Sequence, residues 1–254
     1  MSWKAASMRE DIDEELAVKH YATAQRPGDR RYQCDATAVY TMPDSTRAHV
    51  LLDGVGDTLA VRAWTRTAAR RLARAAAGHG SAEAGLRAEY ARYAADPVRL
   101  DDDHDVPEAA AVVAVHMPGG LFSVAWSGDA RAYLLLDGNL RLLTEDHNAR
   151  RACNGDRNLI TACLGGTRDD AESEQIWGHP AIEYLRGPAR PGWLLLASDG
   201  AYEPLEDTGH DLAGYLTGDS QDAAERLVDD AARHARAVRN PYADNATALV
   251  ARIT

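Results

Sequence analysis

Two stretches in the first third of the chain, ATAVYT (36–41) and RAHVLLD (47–53), carry the short, β-branched apolar runs that predict strands, with Pro43-Asp44 turning the chain between them. The period then lengthens. Over 58–77, Trp64, Ala68, Leu72 and Ala75 recur at helical spacing until Gly78 ends the run. Ser81 is placed to cap a second helix that aligns Leu86, Tyr90 and Tyr93 and stops before Pro97. DDDHD (101–105) reads as a charged loop, with His104 a solvated neighbour of its acids. A second block of strands follows: AVVAVH (111–116), LFSVAW (121–126) and RAYLLL (131–136), joined by hairpin signals at Gly119-Gly120 and Asp137-Gly138, with NLRLL (139–143) completing a meander. Residues 146–192 show no period. WLLLAS (193–198) predicts a buried strand, 221–238 a helix with Ala224, Leu227, Val228, Ala231 and Ala235 inward, and ATALVARI (246–253) a closing strand. Trp126, Tyr133 and Trp193 read as core.

Strands thus fall in blocks, with helices between and after them, which is not the alternation of a doubly wound sheet. The pattern predicts an α+β fold, two antiparallel sheets packed face to face with helices outside. Residues 1–20 read as a short helix or loose tail before a single domain over 21–254. At 254 residues, 45% of them apolar, the chain can build a core without disulfide or zinc staples. The net charge of −11 argues against nucleic acid and anionic membranes as partners, while leaving carboxylates free for hard cations. Cys34, Cys153 and Cys163 are odd in number and never at C-x-x-C spacing, so reduced thiols in a cytoplasmic protein are expected. The opening residues carry no apolar signal-peptide core, and no stretch approaches a bilayer span.

Several mechanisms lack their residues. No cysteine has the downstream arginine of a phosphate-cradling cysteine loop, and there is no G-x-S-x-G, P-loop lysine motif or H-E-x-x-H. What the chain does carry is aspartates at the ends of predicted strands: Asp53 before Gly54, Asp199 before Gly200, Asp244 before the last strand, Asp35 before ATAVYT, and Asp129 between two strands. Taken singly, each reads more readily as a turn residue, the role Asp137 keeps, than as a ligand. Taken together, carboxylates at strand ends can converge on one rim, where oxygen ligands select Mg²⁺ or Mn²⁺. Two such ions about 3.5–4 Å apart can activate a shared water and clamp a phosphoryl group.

The order of these residues resembles the PPM (type 2C) family of metal-dependent serine/threonine protein phosphatases. RRYQCD (30–35), DGVGD (53–57), SGDARAYLLLDGNLRLLTED (127–146) with His147, NLITACLGG (158–166), SDG (198–200) and DN (244–245) are similar, in order, to that family's motifs across 28–252. The resemblance implies an αββα sandwich with a binuclear Mg or Mn site on one edge. Asp53 would bridge both ions, Gly54 would offer its carbonyl, and Asp199 and Asp244 would complete the set. Asp35 would act through bound waters, and Asp129 with Asp199 would hold a weaker third ion. Arg30 would bind the phosphoryl group through its planar fork.

The chain departs from the pattern at several points. Cys34 replaces a Glu or Gln, Gln33 an Asn, and Ala130 a Ser. Asp57 replaces the second glycine of the D-G-x-G-G motif and is placed to cap the 58–77 helix. Val55 stands where some relatives carry a histidine proposed as general acid. About ten residues separate His147 from Asn158, shorter than the family's flap. His147 itself is expected to be structural. The activity implied is hydrolysis of phosphoserine and phosphothreonine in a phosphorylated protein partner, by a monomer. The alternative is a module of the same fold that binds a partner with little or no turnover.

Overall fold

A computed structural model describes residues 20–100, 106–117, 119–237 and 241–253. The expectation for residues 1–20 therefore lies, except for His20, outside the described residues, as does the DDDHD loop with His104.

Ten strands and six helices are present among these residues. β1 (Tyr21–Arg26), β2 (Ala36–Thr41), β3 (Arg47–Gly54), α1 (Leu59–His79), α2 (Ala82–Ala94), β4 (Ala109–His116), β5 (Leu121–Ser127), β6 (Arg131–Leu136) and β7 (Asn139–Leu142) come first. They are followed by α3 (Ala149–Cys153), α4 (Asp170–Trp177), β8 (Glu183–Pro188), β9 (Gly192–Ala197), α5 (Asp199–Glu206), α6 (Ser220–Ala237) and β10 (Ala246–Ile253). One sheet has the order β1-β10-β9-β6-β7 and the other β2-β3-β4-β5-β8, every pairing antiparallel.

Burial divides the molecule into four layers. Leu51, Val112, Val124, Trp126, Leu194, Leu196 and Leu249 interlock between the two sheets. The outer face of the second sheet, with Val50, Leu52 and Val113, packs on Leu72 and Ala76 of α1 and Leu86 of α2. The outer face of the first, with Leu195 and Val250, packs on Leu205 of α5 and Leu227 and Val228 of α6. This is the helix–sheet–sheet–helix arrangement expected, and Trp126, Tyr133 and Trp193 are buried in it.

Two expectations need correction, and one strand was not among them. Residues 146–192 are not featureless: they hold α3, α4 and β8. Residues 21–26 form an edge strand, because β10, over two hundred residues away in sequence, supplies its partner. Finally, Asp57 does not cap α1. Thr58 does, its hydroxyl accepting from the Val61 amide, while the Asp57 carboxylate accepts from the Arg31 and Tyr32 amides at 2.8 and 2.7 Å.

Candidate active site

The strand ends converge as the sequence implied. Asp53 closes β3, Asp199 opens α5 just past β9, and Asp244 immediately precedes β10. All three line one cavity of about 550 Å³ together with Gly54, Asp129, Gly200 and Arg30. The Asp199 amide lies 3.4 Å from Asp53 Oδ2, so these two carboxylates are neighbours although 146 residues apart in sequence. Asp35, the residue before β2, is buried behind them. Both of its carboxylate oxygens are sealed from solvent without a hydrogen bond of normal geometry.

Such crowding has an electrostatic signature. Burial raises the Asp53 carboxyl well above the usual carboxylate range, and the charges of Asp35, Asp199, Asp129 and Asp244 add to it. Burial, then Asp199 and Asp146, do the same to Asp129. Asp199 is raised by burial and then by Asp244, with the Asp53 side chain and the Gly200 amide opposing. Asp35 is raised to about 7 by burial, its rise limited by the hydroxyls of Thr247 and Ser198 and increased by Asp199 and Asp244. Every one of these groups is short of positive charge.

Close backbone approach builds the rim. A Cβ on Gly54 would stand 2.5 Å from the Cys34 carbonyl oxygen, so the glycine is required where β3 passes under the 30–35 segment. Asn245 ties the same segment to β10: its Oδ1 accepts from the Cys34 amide at 2.7 Å and its Nδ2 donates to the Pro27 carbonyl at 2.9 Å. Cys34 is buried, and its carbonyl accepts from Thr65 Oγ1 at 2.8 Å. Burial raises its thiol pKa, which fits a reduced packing residue.

Arg30 grips Asp244 through a two-pronged pair, Nε and Nη2 each 2.6 Å from a carboxylate oxygen, with Tyr242 5.5 Å below the guanidinium. Among the described residues no three His, Cys, Asp or Glu side chains are drawn up as a finished metal cage. The partners of the carboxylates explain this. Asp244 is held by Arg30, and Asp199 accepts from the Gly200 amide. The donor set nevertheless fits a hard divalent cation. It consists of oxygens, its members are buried or half-buried and repel one another, and the two Asp35 oxygens make no hydrogen bond of normal geometry.

The segment around Asp129 is locked from behind. Arg131 pairs with Asp146 through two hydrogen bonds of 2.8 Å, and the Tyr202 hydroxyl donates to the Asp129 carbonyl at 3.1 Å. The Gly128 amide donates to His147 Nδ1, so Nε2 carries the proton given to Glu183 at 2.9 Å. His147 is thus structural, as expected, and its stacking on His179 at 4.2 Å completes the buried layer.

Sequence reasoning missed the far wall of the cavity. Arg157, in the short segment between His147 and Asn158, pairs with Asp207 at 2.6 Å and Glu203 at 3.1 Å. Burial and the Asp199 charge raise Glu203 to about 7. The one available signal was helical spacing, since Asp199, Glu203 and Asp207 are four residues apart and share a face of α5 and its C-terminal cap.

Comparison with known proteins bears on the fold. No family model matches the sequence, and no curated protein matches it. Solved structures do. PppA, described as a key regulatory component of T6SS in Pseudomonas aeruginosa, is 23% identical, with 93% of this chain and 99% of that chain covered at a TM-score of 0.68. The serine/threonine phosphatase Stp1 from Staphylococcus aureus is 18% identical, with 93% and 95% covered at 0.67. The catalytic domain of the phosphatase PstP, in complex with 2 manganese ions, is 22% identical, with 92% and 97% covered at 0.63. The chain shares their fold over nearly its whole length.

Proposed function

We propose that this chain is a metal-dependent phosphatase acting on phosphoserine or phosphothreonine in proteins. One observation carries the reading. Five aspartates from separate segments, Asp35, Asp53, Asp129, Asp199 and Asp244, crowd one end of the sandwich beside Arg30, in a fold shared with bacterial serine/threonine phosphatases.

Asp53, Asp199, Asp244 and the Gly54 carbonyl would hold Mg²⁺ or Mn²⁺, with Asp35 behind them and Asp129 beside Asp199 for a further ion. When bound, such ions supply a water of lowered pKa and neutralise phosphoryl charge. The chain's own groups position the ester. Arg30 would exchange its carboxylate partner for two phosphoryl oxygens, because the same planar fork fits both, and Asp244 would then be free to hold a cation. Tyr242, under the guanidinium, keeps the fork aimed into the cavity. The Asp35 carboxylate, beside the Thr247 and Ser198 hydroxyls that limit the rise of its pKa, would stand behind what the outer aspartates hold. Val55 is exposed at the mouth and offers no proton, so protonation of the leaving alkoxide falls to solvent-derived protons within the site.

The purified chain should hydrolyse a phosphothreonine peptide with Mn²⁺ and stop on addition of EDTA. Asp53→Asn and Asp199→Asn should each cost at least about a hundredfold in turnover. Absence of turnover at every Mn²⁺ and Mg²⁺ concentration would refute the reading. The hold of Arg30 on Asp244 favours a second one, a binding module in which Asp244 is permanently occupied. Calorimetry separates the two, because the enzyme takes up Mn²⁺ and the module does not.

A further inference from the structure

Helix α1 carries five arginines and no acidic residue, in a chain whose net charge is −11. Arg62, Arg66, Arg70 and Arg74 are four residues apart and form one exposed row. Arg74 lies over the Tyr40 ring at 5.1 Å. Arg62, Arg66 and Arg70 have no hydrogen-bond or ion-pair partner among the described residues. That contrasts with Arg30, Arg71, Arg87, Arg131, Arg151 and Arg157, each of which is paired.

The three free guanidiniums line a cleft of about 290 Å³ with Gln25, Gln33, Asp35, Ala36 and Thr37. Gln25 and Gln33 in its floor are already engaged. Gln25 Nε2 donates to the Asp35 carbonyl and Thr247, and Gln33 Oε1 accepts from the Asp35 amide. The Asp35 carboxylate oxygens are sealed from solvent, so among the described residues lining the cleft the exposed charge is positive. Its side wall is β2, an edge strand of its sheet. The cleft adjoins the candidate site. Asp35 lines the cleft and lies behind the aspartates of the cavity, whose charges act on it, and α1 begins just past Gly54–Gly56, which line the cavity.

We propose that this cleft docks an acidic segment flanking the phosphorylated residue of a protein substrate. The periods match. Arginines four apart on a helix rise by about 6 Å per step, and side chains on one face of an extended peptide repeat at about 6.6–6.8 Å. An extended segment with a carboxylate at every second position therefore tracks the row, while one with neutral side chains does not. The substrate class named is a phosphoprotein acidic beside its phosphosite. This rests on the phosphatase reading above, and the test below keeps the two separable.

Two series of phosphothreonine peptides would be compared on the full chain with Mn²⁺. One carries Asp at alternate positions before or after the phosphosite, and the other carries Ser there. The acidic series should show a KM lower by about tenfold at low salt, with kcat unchanged, the advantage shrinking as salt is added. Arg66→Ser with Arg70→Ser should remove that advantage and leave the Ser series as it was. In parallel, fluorescence anisotropy would follow an unphosphorylated acidic peptide binding to the wild type and the double variant. If no peptide is hydrolysed, the phosphatase reading fails and anisotropy alone decides the cleft. Equal KM for the two series, or acidic-peptide binding that survives loss of both arginines, would overturn the docking proposal. Arginine-dependent peptide binding with no KM difference would also overturn it, by assigning the cleft to a partner other than the substrate.

Discussion

Asp35 is the residue whose chemistry is least complete within the chain. A buried carboxylate without a hydrogen bond of normal geometry costs several kcal/mol unless it is protonated or meets a cation. Asp35→Asn removes that charge while keeping the shape. In the absence of metal the variant should melt about 3–6 °C higher than the wild type, since roughly 1–2 kcal/mol of repulsion is relieved. The rise in Tm that Mn²⁺ gives the wild type should shrink in the variant, because ligand binding to the native state is what raises it. Calorimetric scans with and without Mn²⁺ check both. A lower metal-free Tm would show that the carboxylate stabilises the fold on its own. Much at this scale was legible in the sequence. Asp53, Asp129, Asp199 and Asp244 were each marked by a strand end and a following turn or glycine. Asn245 stood in the DN motif, but its anchoring role was not legible, because that role lies in reaching Pro27 and Cys34, contacts that only the folded chain makes. Asp57 occupied a cap position by spacing, but tertiary bonds to the Arg31 and Tyr32 amides claimed its oxygens.

Elements with strong periodicity were readable, and those defined by partners were not. The fully buried β4 and the α6 stripe of Leu227, Val228, Ala231 and Ala235 follow from pattern alone. β8 alternates exposed and partly buried residues and ends in Gly187-Pro188, so it resembles a loop until β5 pairs with it. α4 did leave a local mark: the reciprocal capping bonds of Asp169 and Glu172, a signature at the right spacing. β8 carries its own test. Burial pushes the Glu183 carboxyl up, but hydrogen bonds from His147 and Arg151 outweigh it and bring the pKa down to about 2. Burial also lowers the pKa of His147 despite the pull of Glu183. The imidazole is therefore neutral at pH 7, and Arg151, 2.6 Å from Glu183, supplies the charge. A carboxyl lowered on folding stabilises above its unfolded pKa of about 4.3 and loses that contribution as pH falls toward 2. Denaturation from pH 5 to 2 should show a loss of about 1–3 kcal/mol that Glu183→Gln abolishes, leaving a less stable but flatter profile. An identical acid slope in the variant would contradict the assignment.

The whole molecule works by bringing distant segments to one end of a sandwich. The layers are held by three apolar clusters, so the strand ends can carry mutually repelling carboxylates without being needed for packing. The α+β class could be read from the blocks of strands. The rim itself could not be read from periodicity, since Asp53 and Asp199 meet only after β3 and β9 are stacked in opposing sheets. What made it visible was the order of short motifs along the chain. The arginine row on α1 belongs to this scale as well: its spacing is local, but its meaning comes from β2 and Gln25 closing a cleft beside Asp35.

Anomalous diffraction from crystals soaked in Mn²⁺ tests the central claim most directly. The account predicts anomalous density for two ions among the carboxylates of Asp53, Asp199 and Asp244, with Arg30 released from Asp244. Crystals that take up no Mn²⁺ at this rim, or that keep Arg30 locked on Asp244 with the ions bound elsewhere, would contradict it.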